Sequence, residues 1–193
     1  MQKLSIPLAG LICFLFPAIA LSQALPSGAS VRYSEQISNG PPGSCACFSL
    51  QGASGDLLWK LGPQTHGPLS LAVDLGVEHT GNLNGAGYGL TLSTFTAGPR
   101  ITLPRIKRVH IFGQTLFGFA HGSGSEFPKN GTLTDSANSF AFLAGGGADF
   151  HLNGLISLRL AQVDYLRTSL PNNANDWQNN LRVGGGLALH FIR

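Results

Sequence analysis

Apolar residues recur at every second position through much of this chain. Across 181–191, Leu181, Val183, Gly185, Leu187, Leu189 and Phe191 share one parity; Arg182, Gly184, Gly186, Ala188 and His190 share the other. Successive side chains of a strand point to opposite faces, so this is a strand lying between an apolar environment and a small or polar one. Three further segments behave alike. In 140–152, Phe140, Phe142, Ala144, Gly146, Ala148, Phe150 and Leu152 oppose Gly145, Gly147, Asp149 and His151. In 69–78, Leu69, Leu71, Val73, Leu75 and Val77 oppose Ala72, Asp74, Gly76 and Glu78. In 91–103, Phe95, Ala97, Pro99, Ile101 and Leu103 oppose Thr94, Thr96, Gly98 and Arg100.

Four other segments alternate less cleanly. The stretch 109–121 alternates poorly, and 48–61 changes parity near 52–55, which predicts a bulge there. In 156–168, Arg159 and Asp164 share a face only if a bulge lies between them. The segment 31–37 has the weakest pattern. Together the pattern predicts eight strands, near 30–37, 46–61, 69–80, 90–104, 109–121, 139–152, 155–169 and 179–192. Loop compositions rich in Gly, Pro and Asn separate them at 38–45, 81–89, 122–138 and 170–178. Shorter connections fall at 62–68, 105–108 and 153–154. Long connections alternate with short ones, the rhythm of an outer-membrane barrel. The expected fold is all-β, an eight-stranded antiparallel up-and-down transmembrane β-barrel.

Alternation alone does not say which face is inside, because turning a barrel inside out preserves it. Composition decides. Only 11% of residues are charged while 43% are hydrophobic, against roughly 25% charged in an ordinary soluble domain. The non-apolar faces carry mostly Gly, Ala, Ser and Thr with a few ions of both signs: Asp74, Glu78, Arg100, Asp149, Arg159, Asp164 and Arg182. Eight strands leave a lumen just wide enough for side chains. These seven are expected to pair across it as a structural charge network, since an unpartnered buried ion is costly. In a soluble barrel or sandwich the same ions would face solvent. Aromatics near predicted strand ends fit interfacial girdles: Trp59, Phe150 and Phe191 toward the turns, and Phe48, Phe119 and Tyr165 toward the loops.

The first 24 residues have a secretory layout. Lys3 precedes the apolar run 6–21, and small residues follow at Ser22 and Ala24. The run is shorter than the ~20 residues a spanning helix needs. Residues 1–24 are therefore expected to be a cleaved signal peptide and 25–193 the barrel domain. Cys45 and Cys47 then meet an oxidising compartment, where they either close a small disulfide or stay open on an extended strand. A metal held by these two thiolates is weaker, because two ligands do not complete a site. The net charge of +3 is spread along the chain, whereas a nucleic-acid surface gathers its basic residues.

Several short stretches resemble the OmpA-like eight-stranded outer-membrane β-barrels, especially the small porin-family type. They are Cys45-Ala46-Cys47-Phe48, Thr96-Ala97-Gly98-Pro99-Arg100, Ile111-Phe112-Gly113-Gln114, Ala144-Gly145-Gly146-Gly147-Ala148-Asp149, Val163-Asp164-Tyr165-Leu166-Arg167-Thr168 and Asn179-Asn180-Leu181-Arg182-Val183-Gly184-Gly185-Gly186. The likeness covers most of the mature chain. It implies a bacterial outer-membrane location with both termini periplasmic and four longer loops outward. Outer-membrane lipid and lipopolysaccharide would surround the barrel, and the barrel-assembly machinery would insert it. That machinery reads a terminal aromatic; here Phe191 is followed by Ile192 and Arg193. The implied role is structural, adhesive or surface-interacting, with no catalysis and no cofactor, and the sequence names no partner for the loops. A narrow pore or ligand-binding barrel is the alternative.

One hydrolytic candidate stands beside this. Lipid A deacylases carry a His-x-Ser pair with an acidic partner near the rim, and this chain has His121-Gly122-Ser123 with Glu126 nearby. A base beside a hydroxyl, oriented by a carboxylate, is what acyl transfer requires. No wider motif of those enzymes accompanies the pair, so a rim histidine in a loop is the plainer interpretation. Gly85-Ala86-Gly87-Tyr88-Gly89 lacks the spacing and the following helix of a phosphate cradle. His66, His79, His110, His151 and His190 show no ligand-like spacing and are expected at turns or in the lumen.

Overall fold

A computed structural model describes residues 25–39, 47–61, 68–83, 88–129, 131–172 and 175–191. The expected signal peptide and Cys45 lie outside the described residues, so neither expectation is tested; Cys47 is exposed. Eight antiparallel strands close on themselves in chain order: β1 (Gly28–Ser38), β2 (Phe48–Lys60), β3 (Leu69–Leu83), β4 (Tyr88–Thr102), β5 (Val109–Lys129), β6 (Thr132–His151), β7 (Ile156–Thr168) and β8 (Gln178–His190). Closure is made by β1, which pairs along its whole length with β2 on one side and β8 on the other. A closed sheet leaves no unpaired backbone facing lipid.

The barrel is inverted relative to a soluble one. Arg182 is 1% exposed whereas Leu75 is 51% exposed. Val31, Val77, Phe117, Phe140, Val163, Leu187 and Leu189 join Leu75 on the outside, and Arg32, Arg100 and Arg159 join Arg182 within. In water this would be strongly unfavourable, because large aliphatics belong inside and arginines outside. In hydrocarbon it is the stable arrangement. On β3 the outward apolar run extends from Leu69 to Val77. At ~3.3 Å per residue that is about 26 Å of strand. A tilt of ~40° reduces it to about 20 Å, close to the ~25 Å apolar band of such barrels. Beyond the run the outward positions turn polar with Gln51, His79, Thr91 and Asn138.

Local chemistry sets the turns. Ile106 and Val109 exchange both backbone hydrogen bonds around Lys107 and Arg108, with Lys107 at φ 57°. Asn153 Oδ1 accepts from the backbone N–H groups of Leu155 and Ile156 at 2.9 and 2.8 Å, closing the β6–β7 connection. Both were expected to be tight.

The bulge expected in 156–168 is present. Pairing of β7 with β8 slips between Arg159 and Gln162, and pairing with β6 slips between Ala148 and Asp149. The extra residue is what turns Arg159 and Asp164 to the same interior.

Two other expectations are corrected. No bulge interrupts β2, whose register with β1 and β3 runs straight through 52–55. The apparent change of parity arises because both faces change character along the strand. Outside, Ser49 and Gln51 give way to Leu57; inside, Leu50 gives way to Ser54 and Asp56. The segment 122–138 is not a loop. β5 and β6 run on as a two-stranded ribbon as far as Lys129 and Thr132, with a bulge between Ser123 and Phe127. Most of that ribbon's side chains are exposed or half-buried, so the contrast that produces period-two alternation is weak there.

Candidate functional site

Three features remain once the hydrocarbon-facing wall is set aside: the lumen, the turn-side mouth and the ribbon. In the lumen, all seven residues of the expected charge network point inward, with Arg32 and Asp56 added. Asp56 is the hub. It accepts from Arg32 Nη1 at 2.9 Å, Arg100 Nη1 at 3.0 Å, Arg159 Nη1 at 2.7 Å and Ser30 Oγ at 2.7 Å. Arg32 also donates to Asp74, which accepts from Arg182 Nη2 at 2.7 Å. Arg182 reaches Asp164 at 3.3 Å and lies 3.7 Å from Glu78. Asp149 binds the Arg159 guanidinium through both oxygens, at 2.8 and 3.1 Å.

Two glutamines join these ions. Gln114 Oε1 accepts twice from Arg100, at 2.9 and 2.6 Å, while its amide donates to Asp164 at 3.1 Å. Gln162 accepts from Arg159 and donates to Asp164. Every strand contributes at least one member, so the network ties the barrel across its whole circumference. Phe112 lies between two of its cations, with the Arg100 and Arg159 guanidinium carbons 4.4 and 4.7 Å from the ring centre. Glycine makes room for these groups. A Cβ on Gly76 would stand 2.6 Å from Arg182 Nη1, and one on Gly147 would stand 2.8 Å from Phe112.

Toward the loops the interior becomes apolar. Leu50, Leu90, Leu92, Leu116, Leu143 and Leu166 pack with Phe127 and Leu170 above the ions. Phe48 packs against this plug, which corrects its expected place in an outer girdle. Phe119, the last apolar outward residue of β5 before His121, stacks on Phe95 at 5.3 Å, and Tyr165 donates to Asn179 at 2.6 Å. An ionic layer thus lies under an aliphatic plug. Planar-bilayer recordings of the purified barrel are expected to stay at the baseline without discrete steps; regular ohmic openings would show that the plug is not closed.

At the turn-side mouth the fold gathers three histidines that are far apart in sequence. His110 and His190 flank His151, with ring centres 5.8 and 5.5 Å away. Ser157 Oγ lies 3.0 Å from His151 Nδ1 and 2.8 Å from His190 Nε2. Spacing along the chain does not reveal this cluster; each residue is the terminal inward position of its strand. No group of His, Cys, Asp or Glu among the described residues has a metal-holding arrangement.

The hydrolytic candidate residues do not assemble. His121 Nδ1 lies 2.7 Å from Asn138 Oδ1, across the ribbon. No hydrogen bond among the described residues joins His121 to Ser123 or Glu126, and the bulge follows directly after Ser123.

Among the described residues the ribbon has no strand partner on either side. Pairing of β4 with β5 stops at Thr91 and Ser123, and pairing of β6 with β7 stops at Ala141 and Thr168. Residues 132–140 of β6 therefore present an open strand edge, with the side chains of Thr132, Leu133, Asp135, Ser136, Asn138 and Phe140 exposed.

Solved structures share this architecture. Neisserial surface protein A superposes with a TM-score of 0.66 at 11% identity, over 85% of this chain and 96% of that one. The fold is that of the small outer-membrane β-barrels. Ail, the attachment invasion locus protein of Yersinia pestis, also has this barrel, with a TM-score of 0.54 and 14% identity over 86% of this chain and 100% of Ail. A second structure of Ail, in complex with the heparin analogue sucrose octasulfate, matches at TM-score 0.54 and 13% identity over the same shares. No family profile matches the sequence, and no curated protein is detectably similar to it. At these identities the likeness to outer-membrane barrels is one of fold.

Proposed function

We propose that this barrel resides in the bacterial outer membrane, termini periplasmic and longer loops outward, and acts as a non-catalytic adhesion or surface-interaction protein. The open edge of the β5–β6 ribbon carries this proposal. An unpaired strand edge is a template for an extended segment of another protein, since its free N–H and C=O groups supply ready-made pairing. Here the edge belongs to a chain that is otherwise sealed into a closed sheet. The filled lumen favours this role over conduction, and the separation of His121, Ser123 and Glu126 favours it over hydrolysis. Lipid and lipopolysaccharide would surround the wall, and the barrel-assembly machinery would insert it.

The test is to replace residues 124–135 by a two-residue Asn-Gly turn, which joins the paired Ser123 and Ser136 directly. The shortened barrel is expected to keep its heat-modifiable gel migration, the sign of an intact closed sheet, and to fractionate with the outer membrane. Adhesion of expressing bacteria to host or neighbouring cells is expected to fall to the level of cells carrying no barrel. Adhesion above that background and undiminished by the deletion would remove the ribbon from the function.

A further inference from the structure

A notch opens in the outer wall where β6 runs on past the end of β7. The last β6–β7 pair is Ala141 with Thr168, and below it Phe142 faces Arg167. The notch has a volume of about 310 Å³ and is lined by Phe140, Phe142, Arg167, Ser169 and Trp177. The Arg167 guanidinium carbon lies over the Trp177 ring, 3.8 Å from its centre. Trp177 is held there by its neighbour. Gln178 accepts from Leu170 N–H at 2.9 Å and from Thr168 Oγ at 3.0 Å, and donates to Leu170 C=O at 2.8 Å.

Arg167 is chemically out of place. It shares the outward face of β7 with Val163 and Tyr165. Among the described residues it has no carboxylate within ion-pair distance, whereas Arg32, Arg100, Arg159 and Arg182 in the lumen all do. Glu35, another charge on an outward strand face, accepts from Ser49 at 2.9 Å. Directly beneath the notch the wall is aromatic, with Phe117 5.3 Å from Phe142 and 6.5 Å from Phe140. A ligand for this place needs an anionic head at the polar boundary and a hydrocarbon tail below it.

We infer that the notch binds one phosphate-bearing anionic lipid, its phosphate on the Arg167 guanidinium and its acyl chain along Phe140 and Phe142. A guanidinium attracted to an aromatic ring face keeps N–H groups for another partner, and its planar fork suits two-point bonding to phosphate oxygens. The site requires a membrane-spanning barrel but neither the ribbon's adhesive role nor the outward orientation of the loops.

Native mass spectrometry of the purified full-length mature barrel in dodecyl maltoside tests this, with dioleoyl phosphatidic acid as the lipid probe. Dioleoylglycerol, which lacks phosphate, and inorganic phosphate, which lacks chains, separate the two halves of the ligand. The wild-type barrel is expected to retain one phosphatidic acid about tenfold more tightly than dioleoylglycerol, the scale of one charge-assisted contact, and to retain no inorganic phosphate. R167Q is expected to bring phosphatidic acid down to the dioleoylglycerol level, with heat-modifiable migration unchanged. R167K, which keeps the charge and loses the fork, is expected to fall between them and decides the matter if R167Q does not fold. Undiminished phosphatidic acid binding by a folded R167Q or R167K barrel overturns the inference. Retention of inorganic phosphate as strong as that of the lipid also overturns it. The ribbon deletion leaves all five lining residues in place, so failure of the adhesion experiment leaves this one standing.

Discussion

Asp56→Asn is expected to destabilise the barrel by about 3–5 kcal/mol, the scale of removing one partner from a buried ion pair. Three arginines converge on this carboxylate, each buried. An amide at the same place removes the negative charge and turns an N–H₂ group toward cations that need acceptors. Arg32 keeps Asp74 and Arg159 keeps Asp149, but Arg100 keeps only the neutral oxygen of Gln114. Asp164→Asn should cost less, because its guanidinium contact is the longer 3.3 Å one to Arg182 and its other partners are glutamine amides. Urea titration of barrels folded into phosphatidylcholine vesicles measures both. In the double variant with Arg100→Met the Asp56 loss is expected to be partly recovered, since neighbours that share a partner are non-additive. Equal and negligible losses at Asp56 and Asp164 would mean that water screens the lumen and the network is not structural.

The interior was legible wherever its two faces contrasted. β3, β4, β6 and β8 each set small or charged inward residues against aliphatic or aromatic outward ones, and there Asp74, Glu78, Arg100, Asp149 and Arg182 are buried. Arg159 and Asp164 were legible for a different reason, their incompatible parity, which demanded the bulge that β7 contains. Arg32 and Asp56 were missed although Asp56 is the hub on which three arginines converge. β1 carries Glu35 on its outward face, and β2 carries Leu50 inside and Gln51 outside, so the apolar stripe is broken on both strands. A charge count could have pointed to Arg32, because the four expected carboxylates outnumber the three expected arginines. The apolar plug was hidden by the assumption that the whole interior is polar. The ribbon was hidden because its faces differ too little in environment to impress a period. The histidine cluster and the Arg167 notch depend on which strand ends meet in space, and chain spacing carries no trace of that.

The inverted wall leads to the second large effect. Leu75→Arg is expected to cost about 2–4 kcal/mol, the depth-dependent penalty of a cation on the lipid face near the midplane. Leu75 sits within the apolar band, opposite Gly55 on β2 and Phe95 on β4, so no carboxylate is at hand to accept the guanidinium. The same change at Leu103, just beyond β4 beside the short turn, is expected to cost about 0–1 kcal/mol, because a side chain at the interface reaches water. Both residues are 51% exposed, so burial within the protein does not separate them. Only depth in hydrocarbon does. Were the outer wall facing water, each substitution would be a surface change of roughly 0.5 kcal/mol or less. Urea midpoints of the two variants in phosphatidylcholine vesicles therefore discriminate directly, and a Leu75→Arg barrel as stable as Leu103→Arg would contradict a membrane-spanning wall. The comparison isolates solvent from structure, since the alternating backbone pairing is the same in either medium and only the free energy of the outward side chains changes.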